Sequence, residues 1–76
     1  MTKLPRDVSG WDVIKALKKL GYYPARQKGS HVILIGPTGK MITVPLHKHL
    51  KTGLVRAIIR EIGISVKLFK DLLEDP

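Results

Sequence analysis

Apolar side chains recur along this chain with two different periods. Between Ser9 and Gly21 the spacing is helical: Val13, Ile14, Leu17 and Leu20 line one side, and Lys15, Lys18 and Lys19 occupy the other. Ser9 is placed to cap this helix, Asp12 stands at the reciprocal capping-box position, and Val8 and Val13 can close a hydrophobic staple across its start. At the far end Lys18 and Lys19 suit the negative pole of the helix dipole, and Gly21 can take the left-handed conformation that ends a helix.

The period then shortens to two. Tyr22 to Lys28 reads as a strand, with Pro24 arguing for an edge position because it has no N–H for a ladder. His31 to Ile35 alternates, so Val32 and Leu34 face one way while His31, Ile33 and Ile35 face the other. Gly36-Pro37-Thr38-Gly39 is a tight-turn signal, and Lys40 to Val44 follows as a third strand ended by Pro45. Three strands with short connections predict an antiparallel meander.

Helical spacing returns after Pro45. Thr52 is the expected cap of a second long helix with Val55, Ile58, Ile59 and Ile62 on its buried stripe and Gly63 at its end. Ser65 opens a short last helix that offers Leu68, Phe69, Leu72 and Leu73 to a core. The fold class expected is α+β: a helix, a three-stranded antiparallel sheet and C-terminal helices packed on one face, the architecture of double-stranded RNA-binding domains.

Length and composition bound this picture. Seventy-six residues make one domain, residues 1–76, with a small core, since a chain this short buries only about 60% of the surface it exposes when unfolded. It has no cysteine, which excludes a disulfide framework and a cysteine-built zinc site. No apolar run approaches the roughly 20 residues of a membrane span, and Met1 to Arg6 is too polar for a secretory signal, so a soluble cytoplasmic protein is expected.

Charge changes the picture more. Fourteen lysines and arginines stand against six acids, giving a formal net charge of +8, a balance that attracts polyanions. Asp71, Glu74 and Asp75 lie at the end of the chain, which leaves the body more basic than the total. Nucleic acid is the first candidate partner, and an acidic protein is a second. Arg56 and Arg60, at i and i+4, share one helical face that is either a phosphate-contacting face or plainly solvated, with a weak contact to a nearby acid. Trp11, in the first turn of the first helix, is expected at the edge of the core as a packing residue rather than as a platform for stacking bases.

The stretch Gln27-Lys28-Gly29-Ser30-His31 joins two strands and sets a histidine beside cations and a glycine turn. Histidine can exchange a proton near neutral pH, and Arg26 and Lys28 can neutralise charge beside it. An RNA strand carries its own nucleophile, the 2′-hydroxyl, and its cleavage needs a base, an acid and cations for the developing charge. His31 suits the general acid or base role, Lys28 the phosphate-charge role, and Gly29 and Ser30 a turn whose N–H groups can approach a phosphate oxygen. His47 and His49, flanking Lys48, would give three imidazole ligands together with His31. No acid is close in sequence to orient such a site, so neither metal nor cofactor is expected.

These blocks resemble a known family. Val13-Ile14-Lys15-Ala16-Leu17-Lys18-Lys19-Leu20-Gly21-Tyr22, Arg26-Gln27-Lys28-Gly29-Ser30-His31, Thr43-Val44-Pro45-Leu46-His47, and Thr52-Gly53-Leu54 with Ile58-Ile59-Arg60 and Gly63-Ile64-Ser65 are similar in order and spacing to HicA toxins over nearly the whole chain. The resemblance implies a small RNA-cleaving toxin of double-stranded RNA-binding-domain-like fold that acts on messenger RNA and is neutralised by a HicB antitoxin covering its active site. It puts the catalytic histidine on His31 and matches His47 to a position that contacts RNA or shapes the site. The chain departs from the family pattern at Val32, where a second histidine or an aromatic is usual, and at Val66 and Lys67, where acids are common. A non-catalytic basic RNA-binding module of the same fold, using Lys18, Lys19, Arg56 and Arg60, is the alternative reading.

Overall fold

The computed structural model describes Leu4 and residues 7–74. Met1, Thr2, Lys3, Pro5 and Arg6 of the polar start, and Asp75 of the acidic end, lie outside the described residues. Helix α1 (Gly10–Lys19) is followed by β1 (Tyr23–Lys28), β2 (His31–Ile35), β3 (Met41–Pro45), α2 (Thr52–Ile62) and α3 (Val66–Glu74). The strands form one antiparallel sheet in the order β1-β2-β3. This is the expected α+β, double-stranded RNA-binding-domain-like order of helix, sheet and C-terminal helices. No helix among the described residues is long and apolar enough to cross a membrane.

Both ends of α1 are closed as its residues dictate. The Ser9 hydroxyl accepts from Asp12 N–H, and the Asp12 carboxylate accepts from Ser9 N–H, completing the capping box. After the helix, Tyr22 N–H reaches Leu17 O and Gly21 N–H reaches Lys18 O, the paired bonds of a Schellman cap, with Gly21 at φ +91°. Tyr22 thus serves the helix end, and β1 begins one residue later than its composition suggests.

Two other boundaries differ from expectation. Thr52 does not cap α2: Lys51 holds the extended cap conformation without a side-chain bond, and Thr52 is already helical. The turn into the helix is set one residue earlier, where Lys51 O accepts from Leu54 and Val55 N–H just after Leu50 N–H is tied to Val8 O. Strand β3 runs from Met41 through Pro45 because Lys40 O is used in the turn, accepting from Gly36 N–H. A proline is tolerated there since β3 is an edge strand. In α3 the Ser65 hydroxyl does accept from Leu68 N–H, and Lys67 pairs with Asp71 at 3.3 Å rather than standing uncompensated in the first turn.

One face of the sheet presents Val32, Leu34, Ile42 and Val44 to the core, where they meet Val13, Ala16 and Leu17 of α1, Val55, Ile58 and Ile59 of α2, and Phe69 of α3. Phe69 is fully buried, whereas Leu68 on the same helix stays exposed. Two lysines serve helix ends: Lys40 Nζ donates to Glu61 O near the end of α2, and Lys19 Nζ to Leu72 O near the end of α3, both at 2.6 Å. Strand β1 is exposed along its whole length.

Among the glycines, the closest backbone approach lies where α1 meets the end of β3. A Cβ on Gly10 would stand 2.0 Å from Pro45 O, a backbone atom that cannot swing aside. Gly53 in α2 has nothing within 4 Å of the same position. Alanine is the better helix former at both places, but overpacking should outweigh that gain at Gly10. Gly10→Ala is expected to lose about 1–3 kcal/mol and Gly53→Ala to gain about 0.5 kcal/mol. Thermal unfolding followed by circular dichroism checks both, and a Gly10→Ala protein melting at or above wild type would contradict the packing argument.

Candidate functional site

The chain reverses between β1 and β2 in two residues, Gly29 and Ser30, so Lys28 and His31 become direct partners in the ladder. Such short hairpins need a positive φ in the turn. Gly29 supplies it at φ +60°, and no described non-glycine residue has a positive φ. Gln27 Nε2 donates to Gly29 O at 3.1 Å and braces the turn from the β1 side. From the other side Leu46 N–H donates to Ser30 O at 2.6 Å.

His31 is exposed on the sheet face opposite the core. The ladder shifts by one residue between Pro24 and Arg26, which resets the alternation so that Arg26, opposite Ile33, and Lys28, opposite His31, share that face. The three side chains that the sequence groups therefore stand together at the open end of the sheet. Gly29 has nothing within 4 Å of where a Cβ would sit, so its backbone is open to approach.

His47 joins them from the segment after β3. His31 pairs with Pro45, and two residues further on the ring of His47 stands 6.5 Å from that of His31, edge-on at 68°. Backbone bonds hold this segment in place: besides the Leu46 bond, Gly10 N–H donates to His47 O at 2.9 Å and Leu50 N–H to Val8 O at 2.7 Å. No described carboxylate bonds to either ring. A second imidazole thus lies beside His31, although position 32 does not supply it. Val32 is buried on the core face, so a histidine or aromatic there would point away from His31.

His49 goes elsewhere, its Nδ1 3.5 Å from Asp7 Oδ1. An acid distant from the pair along the local loop thus reaches it through the fold, although it engages only His49. No group of three or more His, Cys, Asp or Glu side chains among the described residues is placed to hold a metal ion.

Arg56 and Arg60 are exposed on α2, and neither pairs with an acid among the described residues. Near them, Ala57, Ile58 and Glu61 border Met41, Ile42 and Thr43, at the end of β3 remote from Pro45. At about 3.3 Å per strand residue, Met41 at the far edge of that region is on the order of 13 Å along β3 from Pro45, the ladder partner of His31.

Trp11 departs from its expected place in the core edge. It is 54% exposed and, with Ile14 three residues on, walls an open groove of about 440 Å³ between α1 and the bare strand β1.

The family model for HicA toxin of bacterial toxin-antitoxin matches residues 10–64 of the 76. No curated protein matches the chain significantly. The matched stretch runs from the first turn of α1 to just past α2, and so contains the whole sheet, the Gly29-Ser30 turn and both clustered imidazoles. With well over half of its length matched, the chain belongs to the HicA toxin family of bacterial toxin-antitoxin systems.

Proposed function

We propose that this toxin is a metal-independent endoribonuclease that cleaves messenger RNA at the open end of its sheet. The observation that carries this reading is the pair of imidazoles, His31 and His47, 6.5 Å apart beside Lys28. Both can reach one phosphate group, one on each side of it. In the step proposed, the RNA 2′-oxygen attacks the adjacent phosphorus. One imidazole takes the 2′-hydroxyl proton as the O2′–P bond forms, and the other gives a proton to the 5′-oxygen as the P–O5′ bond breaks. The products are a 2′,3′-cyclic phosphate and a free 5′-hydroxyl, so no water, metal or cofactor enters the step. His31 fills one of these roles and His47 the other, while Lys28 and Arg26 stabilise charge gathering on the phosphate. The Gly29 and Ser30 backbone offers N–H groups to the same anion. Arg56 and Arg60, exposed on α2 and without an acidic partner among the described residues, would add contacts to the RNA backbone.

A HicB-type antitoxin is the partner this reading requires, and occlusion of His31 is the simplest means of silencing it. In the complex, His31 is expected to resist modification by diethyl pyrocarbonate that labels it in the free toxin. Equal labelling in both states would refute occlusion.

Cleavage of a labelled single-stranded RNA in EDTA tests the activity itself. His31→Ala and His47→Ala are each expected to lose at least about 10²-fold in rate, the lower bound for a proton-transfer catalyst. A His31→Ala protein that cleaves like wild type, both purified side by side, would refute the assignment. Failure of wild type to cleave, together with tight RNA binding, would favour the non-catalytic module. Binding should also weaken with salt, and Lys28→Ala is expected to reduce the slope of log K against log salt by about 0.7, one single-strand phosphate contact. An unchanged slope would remove Lys28 from the phosphate site.

A further inference from the structure

The groove between α1 and β1 has no role in the chemistry above. Its walls are Trp11, Ile14, Val32 and Leu46, and Arg26 and Gln27 border it on the β1 side. It exists because the core stops short of β1, whose residues are all exposed, so that the flank of α1 bearing Trp11 and Ile14 faces bare strand. A tryptophan more than half exposed beside an open cleft is an unsatisfied apolar surface, and here it is the chain's sole tryptophan.

We propose that this groove binds one nucleobase of a single-stranded RNA, stacked on the Trp11 indole, and that it sets which base lies next to the cleaved phosphate. This deepens the ribonuclease reading and rests on it for the location of that phosphate. Charge favours nucleic acid as the occupant. Lys15, one helical turn from Trp11, and Arg26, which borders the groove on β1, are cations beside it, and neither pairs with a described acid. Of the two carboxylates nearby in sequence, Asp12 is occupied by Ser9 N–H in the helix cap and Asp7 lies 3.5 Å from His49 Nδ1.

Size and polarity agree. About 440 Å³ accommodates a planar base with its ribose at the mouth, and the apolar walls suit a π-face of any base. Gln27 adds discrimination: its Nε2 is committed to Gly29 O, which leaves Oε1 as an acceptor without a protein donor among the described residues. An acceptor fixed in this way favours a base edge that presents an N–H donor. The groove opens on the sheet face opposite His31 and comes within one ladder rung of the site. Gln27 and Val32 form the ladder rung next to Lys28 and His31, and Leu46 is bonded to Ser30 O. An RNA strand with its phosphate at His31 need only pass the hairpin end to place a flanking base against Trp11.

Indole fluorescence reads this groove alone. The probe is a six-nucleotide single-stranded RNA titrated into His31→Ala, which leaves it intact, and a series of the same oligomer with one abasic position at a time. Saturable quenching that disappears with one particular abasic position is the expected result. In wild type, Trp11→Ala should lower kcat/KM for cleavage by about 10-fold to 100-fold, the range for loss of one stacked base, while Trp11→Phe keeps most of it. Bound RNA, detected through an end label, that leaves the emission unchanged would overturn the subsite even if cleavage is intact. Emission that responds only to the antitoxin would assign the groove to protein and overturn it too. Quenching in a protein that never cleaves would sustain the base site while refuting the ribonuclease reading, so the two proposals fail separately.

Discussion

The backbone of Gly10 lies so close to the Pro45 carbonyl that a side chain would not fit between them, and the geometry of the open end of the sheet depends on that approach. It lets Gly10 N–H reach His47 O, which anchors the segment after β3 to the start of α1. The same segment is bonded to the hairpin through Leu46 N–H and Ser30 O, and to the residues before α1 through Leu50 N–H and Val8 O. Three backbone bonds therefore fix a stretch that has no regular structure of its own. Side chains on it inherit a defined position, which a loop held only at its ends would not provide.

A core this small cannot cover a whole sheet. Helix α1 turns its apolar face into the core shared with the buried residues of β2 and β3, and every residue of β1 stays exposed. This shortage of apolar cover leaves open both surfaces proposed to meet RNA: the outer sheet face with Lys28 and His31, and the groove with Trp11. The formal charge of +8 is likewise not all available to a partner. Lys19 and Lys40 bond the last turns of α3 and α2, and Lys67 is paired with Asp71, so the cations left free near the hairpin matter more than the total.

Parts of the candidate site were legible because they are local. Two residues between alternating segments force Lys28 and His31 to face each other, and a glycine is needed in the turn, so composition and spacing suffice. His47 was legible only as a family position. Its neighbourhood with His31 depends on the β2–β3 register and on the bond to Gly10, neither of which the residues around His47 announce. Trp11 was misread for a similar reason: its place in the first turn is compatible with core or groove, and the outcome depends on how far α1 reaches across β1. The cap of α2 moved from Thr52 to Lys51 because the chain's tie to Val8 sets where the helix can start, overriding the preference of threonine for a cap.

By itself the sequence determined the elements, their order and the alternation of side chains along β2, since these follow from periodicity, capping groups and turn residues acting over a few positions. It also determined the hairpin that sets Lys28 beside His31. Only the tertiary structure decided that a second imidazole stands beside the first, that position 32 points away from both, and that Trp11 borders an open groove. Those outcomes depend on register between distant strands and on how closely two backbones approach, which are properties of the packed whole rather than of any short segment.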